Sequence, residues 1–180
     1  ILIMSTCMPA TVRAASEMLA PYGAAVIDAP VSGGLGGAEN GTLSIMLGGP
    51  DAAIDQVMDI LTCLGRNLFR CGELGAGQTT KLINNMIGLT NLFLVSEALD
   101  MARHAGLRLD SLVAALDASA GRTALSRNAA AARQQFATWS RSPEGFAALM
   151  GIVRKDIGSA AKLAREHAVG TPLLDTLAPV

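Results

Sequence analysis

Residues 78–105 run without proline and are apolar nearly all round, with Leu82, Ile83, Met86, Ile87, Leu89, Leu92, Phe93, Val95 and Leu99 spread over one helix. A helix of that kind is normally buried by other helices. The chain before it reads differently. Strand-like apolar runs at residues 1–4, 25–28, 43–47 and 67–71 alternate with helical patterns at residues 11–19 and 51–64. Ser5-Thr6 followed by Pro9 is a helix-start signal, and Pro21, Gly23, Gly48-Gly49-Pro50 and Gly72 punctuate the ends. Residues 33–37 read as a glycine-rich loop. This alternation predicts an α/β layer. No segment after Cys71 reads as a strand. Helices are expected at residues 110–119, 123–139, 143–168 and 172–177. The change of character near residues 72–77 divides the chain into an α/β part, 1–75, and an all-helical part, 76–180.

Composition narrows the function. A net charge of −1 gives no global basic field for nucleic acid or a membrane surface. Aromatics are 3% of the 180 residues, too few for platforms that stack bases. Cys7, Cys63 and Cys71 are an odd number without metal-type spacing, as expected of a reduced, cytoplasmic protein. The start Ile-Leu-Ile-Met has no basic region before it and does not read as a secretory signal. Gly, Asn or charge interrupts each apolar run, so no membrane span is expected. There is no internal repeat, and the alanines at 129–132 read as helix.

Three constellations carry chemistry. Asp28-Ala-Pro-Val-Ser32-Gly33-Gly34 directly follows a strand. Glycines there let backbone N–H groups converge on an anion such as a carboxylate, with the Ser32 hydroxyl as a further donor; a flexible turn is the plainer alternative. Gly75-x-Gly77-x-x-x-Lys81-x-x-x-Asn85 opens the long helix. A lysine near the positive end of a helix dipole, against an apolar face, is disfavoured as a cation and can exchange a proton near neutral pH. Asn85 lies one turn on, and Asn84, Gly88 and Asn91 extend a polar stripe whose partners are either a ligand or other helices. Lys155-Asp156, in a later helix, reads alone as a solvated pair. His104 and His167 have no ligand-like spacing, Glu97 and Asp100 read as helix-face charge, and no metal site is expected. Met4, Met46 and Met86 read as core.

These constellations, in this order, resemble the β-hydroxyacid dehydrogenases, the family of 3-hydroxyisobutyrate dehydrogenase and tartronate semialdehyde reductase. Ser5-Thr6-x-x-Pro9 resembles the family's loop over the cofactor. Asp28-Ala-Pro-Val-Ser-Gly-Gly34 with Gly41-Thr-Leu-Ser-Ile-Met-Leu-Gly-Gly49 resembles its substrate segment, and Gly75-x-Gly-Gln-x-x-Lys81-x-x-Asn-Asn85 its catalytic segment. Lys155-Asp156-Ile157 and Pro172-Leu-Leu174 resemble its C-terminal cofactor-contacting and closing helices. The spacing from Phe146 to Lys155 is longer than the family pattern.

The resemblance implies a partial Rossmann-type dinucleotide-binding domain followed by an all-helical domain. It also implies an NAD- or NADP-dependent oxidoreductase acting on a small 3-hydroxy acid or its semialdehyde. Lys81 would transfer the proton and Asn85 would orient the hydroxyl. Ser32, Gly33 and Gly34 would bind the substrate carboxylate, and Thr6 and Lys155 the nicotinamide cofactor. The helical domain would pair two or four copies. Strand–helix units begin at residue 1 and no G-x-G-x-x-G follows a first strand, so the dinucleotide-binding half is expected to be cut, and the last helix to extend past Val180. Two other readings are an imine reductase, where a residue other than lysine is expected at 81, and an inactive dimeric scaffold of the same fold.

Overall fold

The structure is a computed structural model and describes residues 1–123 and 142–177. The chain forms two compact units, one of Ile1–Asn84 with Lys162–Gly170, the other of Asn85–Ala161 with Thr171–Val180.

The first unit is built on β1 (Leu2–Ile3), β2 (Ile27–Asp28), β3 (Val31–Ser32), β4 (Leu43–Gly48) and β5 (Gly65–Gly72). Two strand–helix–strand crossovers give parallel pairs. Helix α1 (Pro9–Leu19) joins β1 to β2, and the pair α3 (Asp51–Gln56) and α4 (Met58–Leu64) joins β4 to β5. Between them, β2 and β3 run antiparallel to β4, so the sheet is mixed. Pro30 separates β2 from β3 because it has no N–H to donate, yet its carbonyl accepts from the Met46 N–H at 3.0 Å. The two short strands therefore follow one another along the same side of β4.

Burial follows the strand period. Ile45 and Leu47 pack with Ile27, Ala29, Leu43, Ile54 and Leu61 in one apolar core. Met46 and Gly48, which point to the other face, are buried too, so β4 is covered on both sides. The residue pattern marked the regions of β1, β2, β4 and β5, but not β3, which follows β2 after only two residues. Residues 33–37 are not an open loop: Gly34–Glu39 forms a short helix, α2, in which Gly37 is buried against Leu43. Tertiary packing overrides the low helix propensity of glycine there. The single helix expected over 51–64 is broken at Val57, a break that no glycine or proline marks.

Helix α5 (Ala76–His104), α6 (Leu109–Asp117), α7 (Pro143–Glu166) and α8 (Pro172–Leu177) follow. The helix expected over 123–139 lies outside the described residues. In the second unit, Val153, Ile157, Ala160, Ala161 and Leu174 form the core, with Met86, Leu89 and Phe93 of α5 packed against it. Helix α5 is long and apolar enough to cross a membrane by length and composition, with a mean hydropathy of 1.3 in its best window. Its asparagines interrupt the apolar run, but the Ile, Leu, Val and Phe around them keep the average high. Only 6% of that window is buried by the described residues of the chain itself.

Candidate active site

In the first unit the start of α5 is fixed by a residue 47 positions away. Asp28, fully buried at the end of β2, accepts from the Gly75 N–H at 2.7 Å through Oδ1 and from the Gln78 N–H at 2.7 Å through Oδ2. The first N–H groups of a helix have no partner within it, and a carboxylate is a strong acceptor at its positive end. Gly77 lets that helix end come close. A Cβ at this position would overlap the Met46 carbonyl oxygen and stand 2.8 Å from Asp28 Oδ2.

Gln78 is equally buried, and its amide reaches back to the segment after β1. Nε2 donates to the Ser5 carbonyl at 2.9 Å, and Oε1 accepts from the Cys7 N–H at 3.0 Å. Thr6 sits between these two anchors, half-buried. Asp28 and Gln78 thus bring the loop of Thr6 onto the helix of Lys81. These bonds also explain why the compact units divide inside α5 rather than near residues 72–77. The first turns of the helix are tied to the sheet.

Lys81 is 7% exposed. With α5 starting at Ala76, it lies in the second turn rather than the first. A helix dipole acts mainly within the first turn. Of the two effects expected to act on Lys81, burial is present and the dipole is weakened by position. Ser32 is half-buried at the end of β3, and Gly33 and Gly34 follow it with φ of 133° and 60°. Gly33 stands where α2 begins, and a Cβ there would meet Leu43 Cδ2 at 3.2 Å. Both its φ and this approach call for glycine.

In the second unit the structure joins two expected site residues through a third. Asn85 Nδ2 donates to Asp156 Oδ2 at 2.7 Å, and Lys155 Nζ lies 3.0 Å from Asp156 Oδ1. Asp156 is buried while Lys155 is half-exposed. An ionised carboxylate only accepts, so it fixes which end of the Asn85 amide faces it, and the amide oxygen faces away. The residue pattern had set Asp156 aside as half of a solvated pair; its place on the buried face of α7 is what distinguishes it. A separate apolar cleft of about 320 Å³ lies between α5 and the start of α8, lined by Met86, Ile87, Thr90, Asn91 and residues 171–174. Among the described residues, no group of three or more His, Cys, Asp or Glu gathers as a metal site would require.

The expected residues thus fall into two groups. Thr6, Ser32, Gly33, Gly34 and Lys81 belong to the first unit, and Asn85 and Lys155 to the second. Hydroxyl, backbone N–H and ammonium donors at Thr6 and Lys155 are of the kind that a nicotinamide carboxamide and phosphates accept from. The Thr6 backbone is pinned on both sides by the Gln78 amide. Taken separately, the donor chemistry of each unit fits such a cofactor.

A mixed α/β layer leading into a helix that carries a buried lysine four residues before an asparagine fits the class of nicotinamide-binding α/β folds. The family model described as "NAD-binding of NADP-dependent 3-hydroxyisobutyrate dehydrogenase" matches residues 75–179, and that for the NAD binding domain of 6-phosphogluconate dehydrogenase matches residues 1–72. The chain belongs to the β-hydroxyacid dehydrogenase family, whose nicotinamide cofactor is NAD or NADP. It is 40% identical to the mitochondrial 3-hydroxyisobutyrate dehydrogenase of Drosophila melanogaster over 66% of this chain and 36% of that one. It is 32% identical to 2-(hydroxymethyl)glutarate dehydrogenase of Eubacterium barkeri over 94% of this chain and 55% of the relative. The crystal structure of 3-hydroxyisobutyrate dehydrogenase from Salmonella typhimurium superposes with a TM-score of 0.80 at 25% identity, covering 99% of this chain and 61% of that one. The chain therefore spans from about a third to about half of the length of these curated relatives.

Proposed function

We propose that the protein is an NAD- or NADP-dependent dehydrogenase of a small 3-hydroxy acid or its semialdehyde, with Lys81 moving the proton. The burial of Lys81 in the second turn of α5, on a helix start anchored by Asp28, carries this reading. When bound, the nicotinamide supplies or accepts the hydride. The chain's own residues do the rest. Lys81 Nζ takes the hydroxyl proton during oxidation and returns it to the forming alkoxide during reduction. Ser32, Gly33 and Gly34 hold the substrate carboxylate by hydroxyl and backbone donors. Asn85, held by Asp156, turns its amide oxygen to the substrate hydroxyl and orients it. Thr6 and Lys155 contact the cofactor.

The same reading gives α5 a second copy of the chain as its neighbour. Ile87, Leu94 and Met101 are exposed and recur every seven residues on α5, the spacing of a helix seam. A homodimer or homotetramer covers that seam, with neither membrane nor nucleic acid involved. A cytoplasmic location belongs to this reading, although some of the relatives are mitochondrial.

The test uses the full-length protein, steady-state kinetics and cofactor titration. Lys81→Ala should lower kcat by roughly 10²–10⁴-fold, the usual contribution of a positioned acid–base group. The Kd for NADH or NADPH should stay within a few-fold. Activity of Lys81→Ala close to wild type overturns the assignment of Lys81. Reduction of cyclic imines with no turnover of small 3-hydroxy acids overturns the substrate class.

A further inference from the structure

We infer that Gln78 is a positioning residue that sets the register of the Thr6 loop against the helix carrying Lys81. The assignment of Thr6 to the cofactor rests on the function proposed above; the clamp itself rests on geometry.

Gln78 is 0% exposed, and both ends of its amide are engaged on one short segment. The donor reaches the Ser5 carbonyl and the acceptor takes the Cys7 N–H, so the two bonds bracket Thr6. Strand β1 ends at Ile3, whose carbonyl takes the last ladder bond, from the Ala29 N–H at 2.9 Å. Ser5 and Cys7 lie beyond the sheet, where backbone groups leaving water need other partners. The Gln78 amide supplies both, much as a neighbouring strand would.

Gln78 cannot shift easily. Its own N–H is held by Asp28, which also holds Gly75. The clamp therefore fixes the loop to a helix end that is itself fixed to the sheet. Lys81 follows Gln78 by three residues, which places the two on one helix face with Cβ atoms roughly 5–6 Å apart. One face of α5 thus grips the Thr6 loop and presents the lysine a turn later. Hydride and proton leave adjacent atoms of one substrate, so the distance between what Thr6 holds and what Lys81 reaches matters for turnover. An asparagine is one methylene short of spanning both anchors, and a methionine keeps the volume but loses both bonds.

Hydrogen exchange and cofactor titration on the full-length protein, with Gln78→Met, Gln78→Asn and Lys81→Ala, test the inference. The wild-type Cys7 amide should exchange slowly. In Gln78→Met it should exchange at the rate of an open loop, and the Kd for the reduced nicotinamide that the wild type binds should rise about tenfold, as expected for two lost hydrogen bonds. Gln78→Asn should fall between, and Lys81→Ala should leave that Kd unchanged. Fast Cys7 exchange in the wild type overturns the clamp without any variant having to fold. Unchanged Cys7 exchange and a Kd within twofold of wild type in Gln78→Met overturn it as well. Failure of the wild type to bind either nucleotide counts against the proposed function, while the Cys7 exchange rate still decides the clamp.

Discussion

Asn85 and Asp156, 71 residues apart in the chain, are joined by a hydrogen bond of 2.7 Å from Nδ2 to Oδ2. The buried carboxylate imposes a direction on the amide, because an ionised Asp156 cannot donate. In Asp156→Asn the partner can either donate or accept, and Asn85 loses its single orientation. We expect kcat/KM for the hydroxy acid to fall roughly tenfold, the size of one oriented hydrogen bond, and the Kd for the cofactor to rise as well, because Asp156 also pairs with Lys155. Steady-state kinetics and a binding titration measure both. A kcat/KM unchanged from wild type would show that this bond does not orient a reacting group.

Asp28 is the anchor of α5, and its removal should be costly. Asp28→Ala leaves the buried Gly75 and Gln78 N–H groups without their acceptor. Hydrogen bonds to a charged acceptor contribute about 1.5–3 kcal/mol each, so the loss should be roughly 3–6 kcal/mol in urea unfolding. A loss under about 1 kcal/mol would mean that water or another group takes over the helix end.

Two glycine-to-alanine changes should have opposite signs. Gly77→Ala gains helix propensity of about 1 kcal/mol, but its methyl group overlaps the Met46 carbonyl. Relieving a contact with backbone costs about 1–3 kcal/mol, so the clash wins and the melting temperature should fall. Gly151→Ala, in α7, meets nothing within 4 Å and should raise stability by about 0.5–1 kcal/mol. Equal effects at the two positions would remove close packing as the reason for Gly77.

What was legible in the residues, and what was not, has a physical pattern. The long apolar helix and the lysine–asparagine spacing could be read because helical periodicity is local. The strand–glycine–helix alternation of the first unit was legible for the same reason. Asp28 stood inside a recognised motif, but its role depends on two N–H groups brought to it by folding. Gln78 likewise stood in a recognised motif, but its role shows only once Ser5 and Cys7 lie beside it. Asp156 looked solvated because its neighbour in sequence is a lysine; only the face it takes on α7 makes it buried. The glycines at 33–37 suggested a loop because propensity is weighed without Leu43, which packs against Gly37.

The exposed seam of α5 leads to the last prediction. Ile87, Leu94 and Met101 lie two turns apart in succession, and each is more than half exposed. Burying a Leu or Ile side chain of this kind contributes about 1.5–3 kcal/mol, so three per copy in a symmetric pair stabilise association substantially. Membrane insertion competes for the same face on hydropathy alone. Asn91, between Ile87 and Leu94, favours a protein neighbour that can return hydrogen bonds, as single asparagines do in helix seams. Leu94→Asp places a charge in the middle of that seam. Light scattering after size exclusion should show the wild type as a dimer or tetramer and Leu94→Asp shifted to the monomer, without any need for detergent. A wild-type monomer would refute the seam, and a wild type that remains with vesicles rather than in the aqueous fraction would assign the same residues to lipid.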